Sequence, residues 1–419
     1  MLEQPIVQLL ILLLAAVVVV AVFQRLRVPS TLGYLLVGVV LGPYTPGPVL
    51  EGHQLRLIAE FGIVFLLFTI GLNFSLPQIR ALRSQVFVLG TGQVVLTTAV
   101  VGVAAWLAGL PPAAAFVVGA VFAQSSTTVI SRQLTEQGEE HSRHGRLGTA
   151  MSVFQDVTAV PFVIVIPALG VAAGAESIGS TLGWAVMKAL LAFAIVFGVG
   201  RWVLRPAFHA VAESRSAELF TLTVLLVSLA AGWTTAELGL SMAFGAFLAG
   251  MVLGETEFRH QVEAAIRPFR DVLLGLFFVG IGMLFDLRSL PDIWLAAVGG
   301  ALVLMLVKVV LVAGLVRAAG IETMTAWQTG LMLAVGGEFG FAVLAIALGS
   351  GVIADTTGQV ALASVLLSIV LAPLLIRHNH AIAAWLTPAR GQRSDQAPTA
   401  TSAGLAAALS GHVIICGYG

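Results

Sequence analysis

Cysteine and lysine are nearly missing from this chain: Cys416, Lys188 and Lys308 are the only ones among 419 residues. A single cysteine excludes a disulfide framework and any multi-cysteine metal site. Charge is scarce too, at 10% of residues against about 25% in soluble domains. The eight histidines fall in or near loops, and none has partners at metal-ligand spacing. No nucleophile elbow, P-loop or pair of catalytic acids occurs, so neither an enzyme nor a nucleic-acid binder is expected. What the chain does have is apolar surface, with 58% hydrophobic residues and a mean hydropathy of +1.00. A soluble fold cannot hide that much, so lipid is the solvent for most of it.

Apolar runs of about 20 residues recur, long enough to cross a hydrocarbon core of about 30 Å as helices. Dividing the sequence at charges and turn residues gives thirteen spans, near 4–24, 30–43, 56–74, 84–109, 112–132, 146–172, 179–204, 217–236, 239–254, 268–285, 292–317, 325–350 and 357–386. The opening MLEQPIVQ has no basic flank, so the first run reads as a retained span. With thirteen spans, 17 arginines fall on one side and only Arg56 and Arg288 on the other, while both lysines lie inside spans. Basic residues collect on the cytoplasmic side. The N-terminus is therefore expected outside and the C-terminus inside. Arginine in place of lysine, with abundant Ala and Gly, fits a bacterial inner-membrane protein of high genomic GC content.

Two pairs of segments resemble each other at nearly constant offset. LGYLLVGVVLG (Leu32–Gly42) matches FGAFLAGMVLG (Phe244–Gly254) at six of eleven positions, offset 212, and IGLNFSL (Ile70–Leu76) resembles IGMLFDL (Ile281–Leu287), offset 211. Units seven spans apart lie in opposite orientation, as in transporters built from inverted repeats with one site near the midplane. The repeat halves are expected at about 4–172 and 217–386, joined by a linker helix at about 179–204. The same offset places Ser125-Ser126 of AQSSTTVISR opposite Gly336-Gly337 of AVGGEFGF. Small residues can simply allow close helix packing, but breaks at matching positions of two halves are the better pointer to a binding site. There Ser125, Ser126, Thr127, Thr128 and freed backbone groups can coordinate an ion, and half-helix ends aim partial charges at it.

Two charges lie deep in spans: Asp156 and Lys308. Left alone at the bilayer centre each costs roughly 2.5–3.5 kcal/mol or more, so such residues usually find partners and mark ion or proton paths. A static Asp156–Lys308 bridge between the halves is one reading. A resting counter-charge that an arriving cation or proton displaces is the other. Glu338, in the second break, either contacts the ion path or caps a half-helix. Gln155 either gives its amide oxygen to a cation or bonds a neighbouring helix.

Gln155-Asp156, Lys308 and the two broken spans, with PSTLGYLLVGVVLGP, FLLFTIGLNFS, SSTTVI, LLGLFFVGIGM and GGEFGF, together resemble the second monovalent cation:proton antiporter family in its Kef-type potassium:proton branch. The resemblance implies an all-α polytopic membrane protein with an NhaA-like inverted repeat and two broken crossing helices. It also implies a homodimer, an ancillary cytosolic regulatory subunit, and K⁺ and H⁺ as transported ions, with no cofactor in the membrane domain (about 1–388). HVIICGYG (His412–Gly419) follows a polar linker at 389–410 and resembles the first strand of an RCK/KTN domain. Gly417 and Gly419 are an incomplete nucleotide motif, and NAD(H) or AMP is expected only of the rest of such a domain. GETEFRHQVEAAIRPFRD (Gly254–Asp271) partly resembles the acidic regulatory loop of Kef proteins through Glu255, Glu257, His260 and Glu263, but Arg259, Arg267 and Arg270 put glutathione control in doubt. The expected activity is alternating-access exchange, with proton and cation sharing Asp156. A gated K⁺ channel, a Na⁺/H⁺ antiporter and a non-transporting ion sensor are the rivals.

Overall fold

The computed structural model describes residues 5–26, 28–45, 52–73, 84–172 and 178–387, and among these every regular element is a helix. In chain order the first half gives α1 (Pro5–Arg25), α2 (Ser30–Leu41), α3 (Gly52–Asn73), α4 (Ser84–Leu107), α5 (Pro112–Ala123), α6 (Thr127–Gln137) and α7 (Arg143–Ala172). Next come α8 (Ile178–Val199), a π turn (Gly200–Leu204) and α9 (Arg205–Glu213). The second half gives α10 (Ala217–Glu237), α11 (Met242–Gly254), α12 (Arg259–Met283), α13 (Leu290–Ala318), α14 (Thr323–Leu333), α15 (Glu338–Gly349), α16 (Asp355–Arg377) and α17 (Asn379–Leu386). The expected strand at 411–419, Gly417, Gly419 and the linker at 389–410 lie outside the described residues.

Each of the thirteen expected segments coincides with a helix or a broken pair. By length and hydropathy seven described helices can cross a membrane, eight if α14–α15 is one span bent by 45°, and four more apolar helices are shorter. Thirteen crossings is thus more than length and hydropathy alone carry. Three boundaries differ from expectation. The linker helix runs on through the π turn to Glu213, because RPAFHAVAE is amphipathic and keeps Phe208 buried. The segment resembling a regulatory loop is mostly helix: only Glu255–Phe258 is a turn, and His260 and Glu263 belong to α12. The last segment divides at His378 into α16 and α17.

The helices sort into two bundles. In one, α3 lies between α11 and α12, with α2 on α12, α1 on α2 and α10 on α11. In the other, α4 packs on α5, α13 on α14 and α16, and α15 on α5 and α7. Among the described residues polar ties between them are few: Arg132 donates to Val28 O at 3.1 Å, and Gln359 joins the turn after α12 through Leu284 O at 2.6 Å and Asp286 N at 3.0 Å.

The repeat is visible atom by atom. A Cβ on Gly38 would stand 2.0 Å from Val279 O, and one on Gly282 would stand 2.2 Å from Leu35 O. At the offset of the sequence repeat, Gly250 would meet Phe68 O at 2.0 Å and Gly71 would meet Phe247 O at 2.1 Å. The α2–α12 and α3–α11 crossings are thus the same glycine-mediated contact made twice. Only hydrogen on both partners lets backbones come this close.

Candidate functional site

Both breaks have local causes. After Ala123 the side chains of Ser125 and Ser126 offer the backbone alternatives to helical bonds. Ser126 then caps α6, its Oγ accepting from Val129 N at 3.3 Å. After Leu333 the Gly336-Gly337 pair weakens the helix, and Gly337 is extended at φ −133°, ψ 162°. The two extended segments cross in contact, since a Cβ on Gly337 would lie 2.5 Å from the carbonyl carbon of Ser125.

Four half-helix ends therefore meet inside one bundle, and charges are sorted among them. Lys308, fully buried on α13, donates to Gln124 O at 2.8 Å, Ser125 Oγ at 2.7 Å and Val335 O at 2.9 Å. Gln124 and Val335 follow the C-termini of α5 and α14, where carbonyls lack helical partners and the helix dipole is negative. An ammonium has three donors, and all three are used. The ion pairs among the described residues do not include Lys308, so neither a bridge to Asp156 nor a resting counter-charge in contact with it is present. Two orphaned helix ends supply the negative partners instead.

The acids sit at the opposite ends. Asp156, partly buried on α7, accepts from Thr127 Oγ1 at 3.0 Å (Oδ2) and 3.3 Å (Oδ1). Glu338, the first residue of α15, accepts from Ser126 Oγ at 3.0 Å and Thr128 Oγ1 at 2.8 Å. The run of four hydroxyls is divided: Ser125 to the lysine, Thr127 to Asp156, Ser126 and Thr128 to Glu338. Glu338 is thus both a residue of a half-helix N-terminus and a neighbour of the Asp156 locus. Gln155 is fully buried, its Oε1 accepting from Ser125 N at 2.8 Å and its Nε2 donating to Gln93 Oε1 at 2.6 Å. The amide oxygen offered to a cation in sequence reasoning already has one donor here.

Sequence reasoning missed Gln93, which donates onward to Ala123 O at 3.1 Å and Thr97 Oγ1 at 3.2 Å and so fixes Gln155. An amide amid the apolar VFVLGTGQVVL was the available signal. It also missed Ser368, whose Oγ accepts from Gly336 N at 2.9 Å, and Gln124, whose buried amide has no hydrogen-bond partner. Among the described residues no group of three or more His, Cys, Asp or Glu could hold a metal ion.

The model of the family described as "Sodium/hydrogen exchanger, transmembrane" matches residues 10–378. The chain belongs to that family. Over 90% of its length it is 62% identical to a protein named as a K(+) efflux antiporter, KefB, of Alkalimonas amylolytica. Over its whole length it is 39% identical to K(+) efflux antiporters 1 and 2, chloroplastic, of Arabidopsis thaliana. The chain spans 57%, 35% and 36% of these three relatives. The structure of the sodium proton antiporter MjNhaP1 from Methanocaldococcus jannaschii at pH 8 superposes with a TM-score of 0.65, at 16% identity, over 90% of this chain and 96% of that one. That likeness is one of fold, and it agrees with the all-α antiporter fold that the family resemblance implied.

Within this exchanger fold the segment that resembles a regulatory loop is tied to the linker helix. Glu257 accepts from His209 Nε2 at 2.9 Å and lies 3.6 Å from Arg205 Nη2, both on α9. Its own backbone N–H, together with Arg205 and His209, holds the Glu257 carboxyl below the usual carboxylate range. Glu263 pairs with Arg267 at 3.6 Å, while His260 and Glu255 are exposed.

Proposed function

We propose that the chain is the membrane part of an electroneutral antiporter exchanging K⁺ for H⁺, with Asp156 as the group that holds either one. The observation that carries this is the Thr127–Asp156 contact at the crossing of two broken helices, with the buried ammonium engaged elsewhere. A carboxylate without a fixed cationic partner, presented with hydroxyl and backbone oxygens, can take a proton or a desolvated monovalent cation. Competition for one acid then gives exchange with no further machinery. K⁺ rather than Na⁺ is favoured by the K(+) efflux names of the relatives quoted above.

Movement of the α4–α7, α13–α16 bundle against the other, with alternating access to Asp156, fits the few polar ties between them. The orientation with basic loops in the cytoplasm, the homodimer, and control through a cytosolic domain or subunit belong to the same proposal. The test is exchange in proteoliposomes carrying an internal pH dye, with K⁺, Na⁺ and Rb⁺ added in turn. K⁺ is expected to dissipate an imposed proton gradient, and an Asp156→Asn protein of unchanged fold is expected to be silent. Exchange that survives Asp156→Asn would falsify the central assignment. Currents without proton counter-flow would instead favour a channel.

A further inference from the structure

Away from the crossing, a cavity of about 550 Å³ lies between α4, α5 and α7. Its walls include Thr91, Val95, Thr98, Val103, Ala115 and Phe162, and no charged residue lines it. Thr91 and Thr98 do not make it polar. Their hydroxyl oxygens are buried in the wall without any hydrogen-bond partner, so what faces the space is almost wholly hydrocarbon. Val95 and Val103, at 57% and 51% exposure, line the cavity and also belong to the exposed apolar surface of α4, a helix long and apolar enough to cross a membrane. From Thr91 to Val103 the helix rises about 18 Å, more than half of a hydrocarbon core of about 30 Å.

A space of this size falls within the range of roughly 300–1,000 Å³ typical of ligand sites. Left empty, its walls would lose their dispersion contacts. Water is a poor occupant, since it needs two to four polar partners and the lining offers almost none. A headgroup or a fatty-acid carboxylate would be desolvated here without compensation. The neighbouring solvent, continuous with the cavity through the Val95–Val103 rim, is phospholipid hydrocarbon. We infer that this cavity is a binding site for one acyl chain of a bilayer phospholipid, lying along α4 against the helix that carries Asp156. Thr158, another wall residue, donates its hydroxyl to Gln155 O at 2.7 Å, so the chain rests within one turn of the Gln155-Asp156 pair.

The test uses the full chain reconstituted with a trace of phosphatidylcholine bearing a photoreactive diazirine in one acyl chain. After irradiation, adducts are mapped by mass spectrometry. Labelling is expected to be severalfold denser on Val95, Val103, Ala115 and Phe162 than on the more exposed Leu190 of α8 and Leu306 of α13. Ala99→Trp and Val103→Trp, made separately on the exposed rim, are expected to remove the inner adducts on Ala115 and Phe162 while leaving those on Leu190 and Leu306 unchanged. Uniform labelling of all lipid-facing helices overturns the inference. So do adducts confined to the rim, or inner adducts that persist in both tryptophan variants. Preferential labelling of the inner positions by a photoreactive free fatty acid rather than by the phospholipid likewise overturns it.

Discussion

At the scale of single residues, the two charges set deep in spans have different surroundings: Lys308 is fully buried and Asp156 partly so. Lys308 satisfies three acceptors at once, so Lys308→Met leaves buried oxygens unmatched, at roughly 1–3 kcal/mol for each. A clear loss of thermal stability in detergent is expected, measured against Asp156→Asn, which keeps the contact with Thr127 and should stay near the parent. If Lys308→Met melts where the parent does, the capping role is wrong. Asp156 and Lys308 stood out in the sequence because charge is so rare there. Their separation did not: hydrophobic patterning gives depth, whereas the partner of a lysine depends on which carbonyls two distant breaks bring within reach. For the same reason Gln93 escaped notice, since its importance lies in a hydrogen bond to Gln155 that only the packing of α4 on α7 creates.

Among elements, the glycine crossings give a paired expectation. Gly38→Ala and Gly250→Ala insert the same methyl into the same contact in opposite halves, each 2.0 Å from a backbone oxygen. Each is expected to cost at least about 1–3 kcal/mol, as overpacking does. Gly314→Ala, where no atom lies within 4 Å, is expected to be neutral or mildly stabilising. Fluorescence-detected thermal melts would check all three, and a harmless Gly250→Ala beside a damaging Gly38→Ala would contradict the shared geometry. The repeat itself was legible because these crossings demand glycine in register. The continuation of the linker helix to Glu213 was not, because an arginine and a proline after an apolar run look like the end of a span. The α9 contact to Glu257 carries a pH dependence. A carboxyl held low by its surroundings stabilises the contact above its free value and loses that contribution as pH falls through the lowered one. Hydrogen exchange of the Arg205–Glu213 amides, corrected for intrinsic rates, should therefore speed up on acidification, and Glu257→Gln should speed it at neutral pH as well.

Across the whole molecule, the two bundles meet through Phe278 and Phe341, edge to face with centroids 6.5 Å apart, and through the Gln359 bonds. If exchange needs one bundle to slide past the other, a link across this seam must stop it. With Cys416→Ser as background, a bifunctional thiol reagent joining cysteines at Leu284 and Gln359 should arrest exchange, and cleaving the linker should restore it. Full exchange in the linked protein would mean that access to Asp156 alternates some other way.

The grouping of charges at the helix crossing bears also on leakage. Two carboxylates, Asp156 and Glu338, share the crossing with one ammonium, Lys308, all three on the same bundle. With both acids ionised and Lys308 protonated the empty crossing carries one net negative charge, and one proton or one monovalent cation brings it to neutrality. If that bundle moves as proposed, a loaded crossing travels uncharged, whereas an empty one takes an unbalanced charge with it, at roughly 2.5–3.5 kcal/mol or more. If the chain exchanges K⁺ for H⁺ as proposed, that penalty slows the futile return trip and couples influx of one ion to efflux of the other. Removing one of the negative charges by Glu338→Gln reverses the arithmetic: the unloaded crossing becomes the neutral one, and tight coupling should give way to slippage.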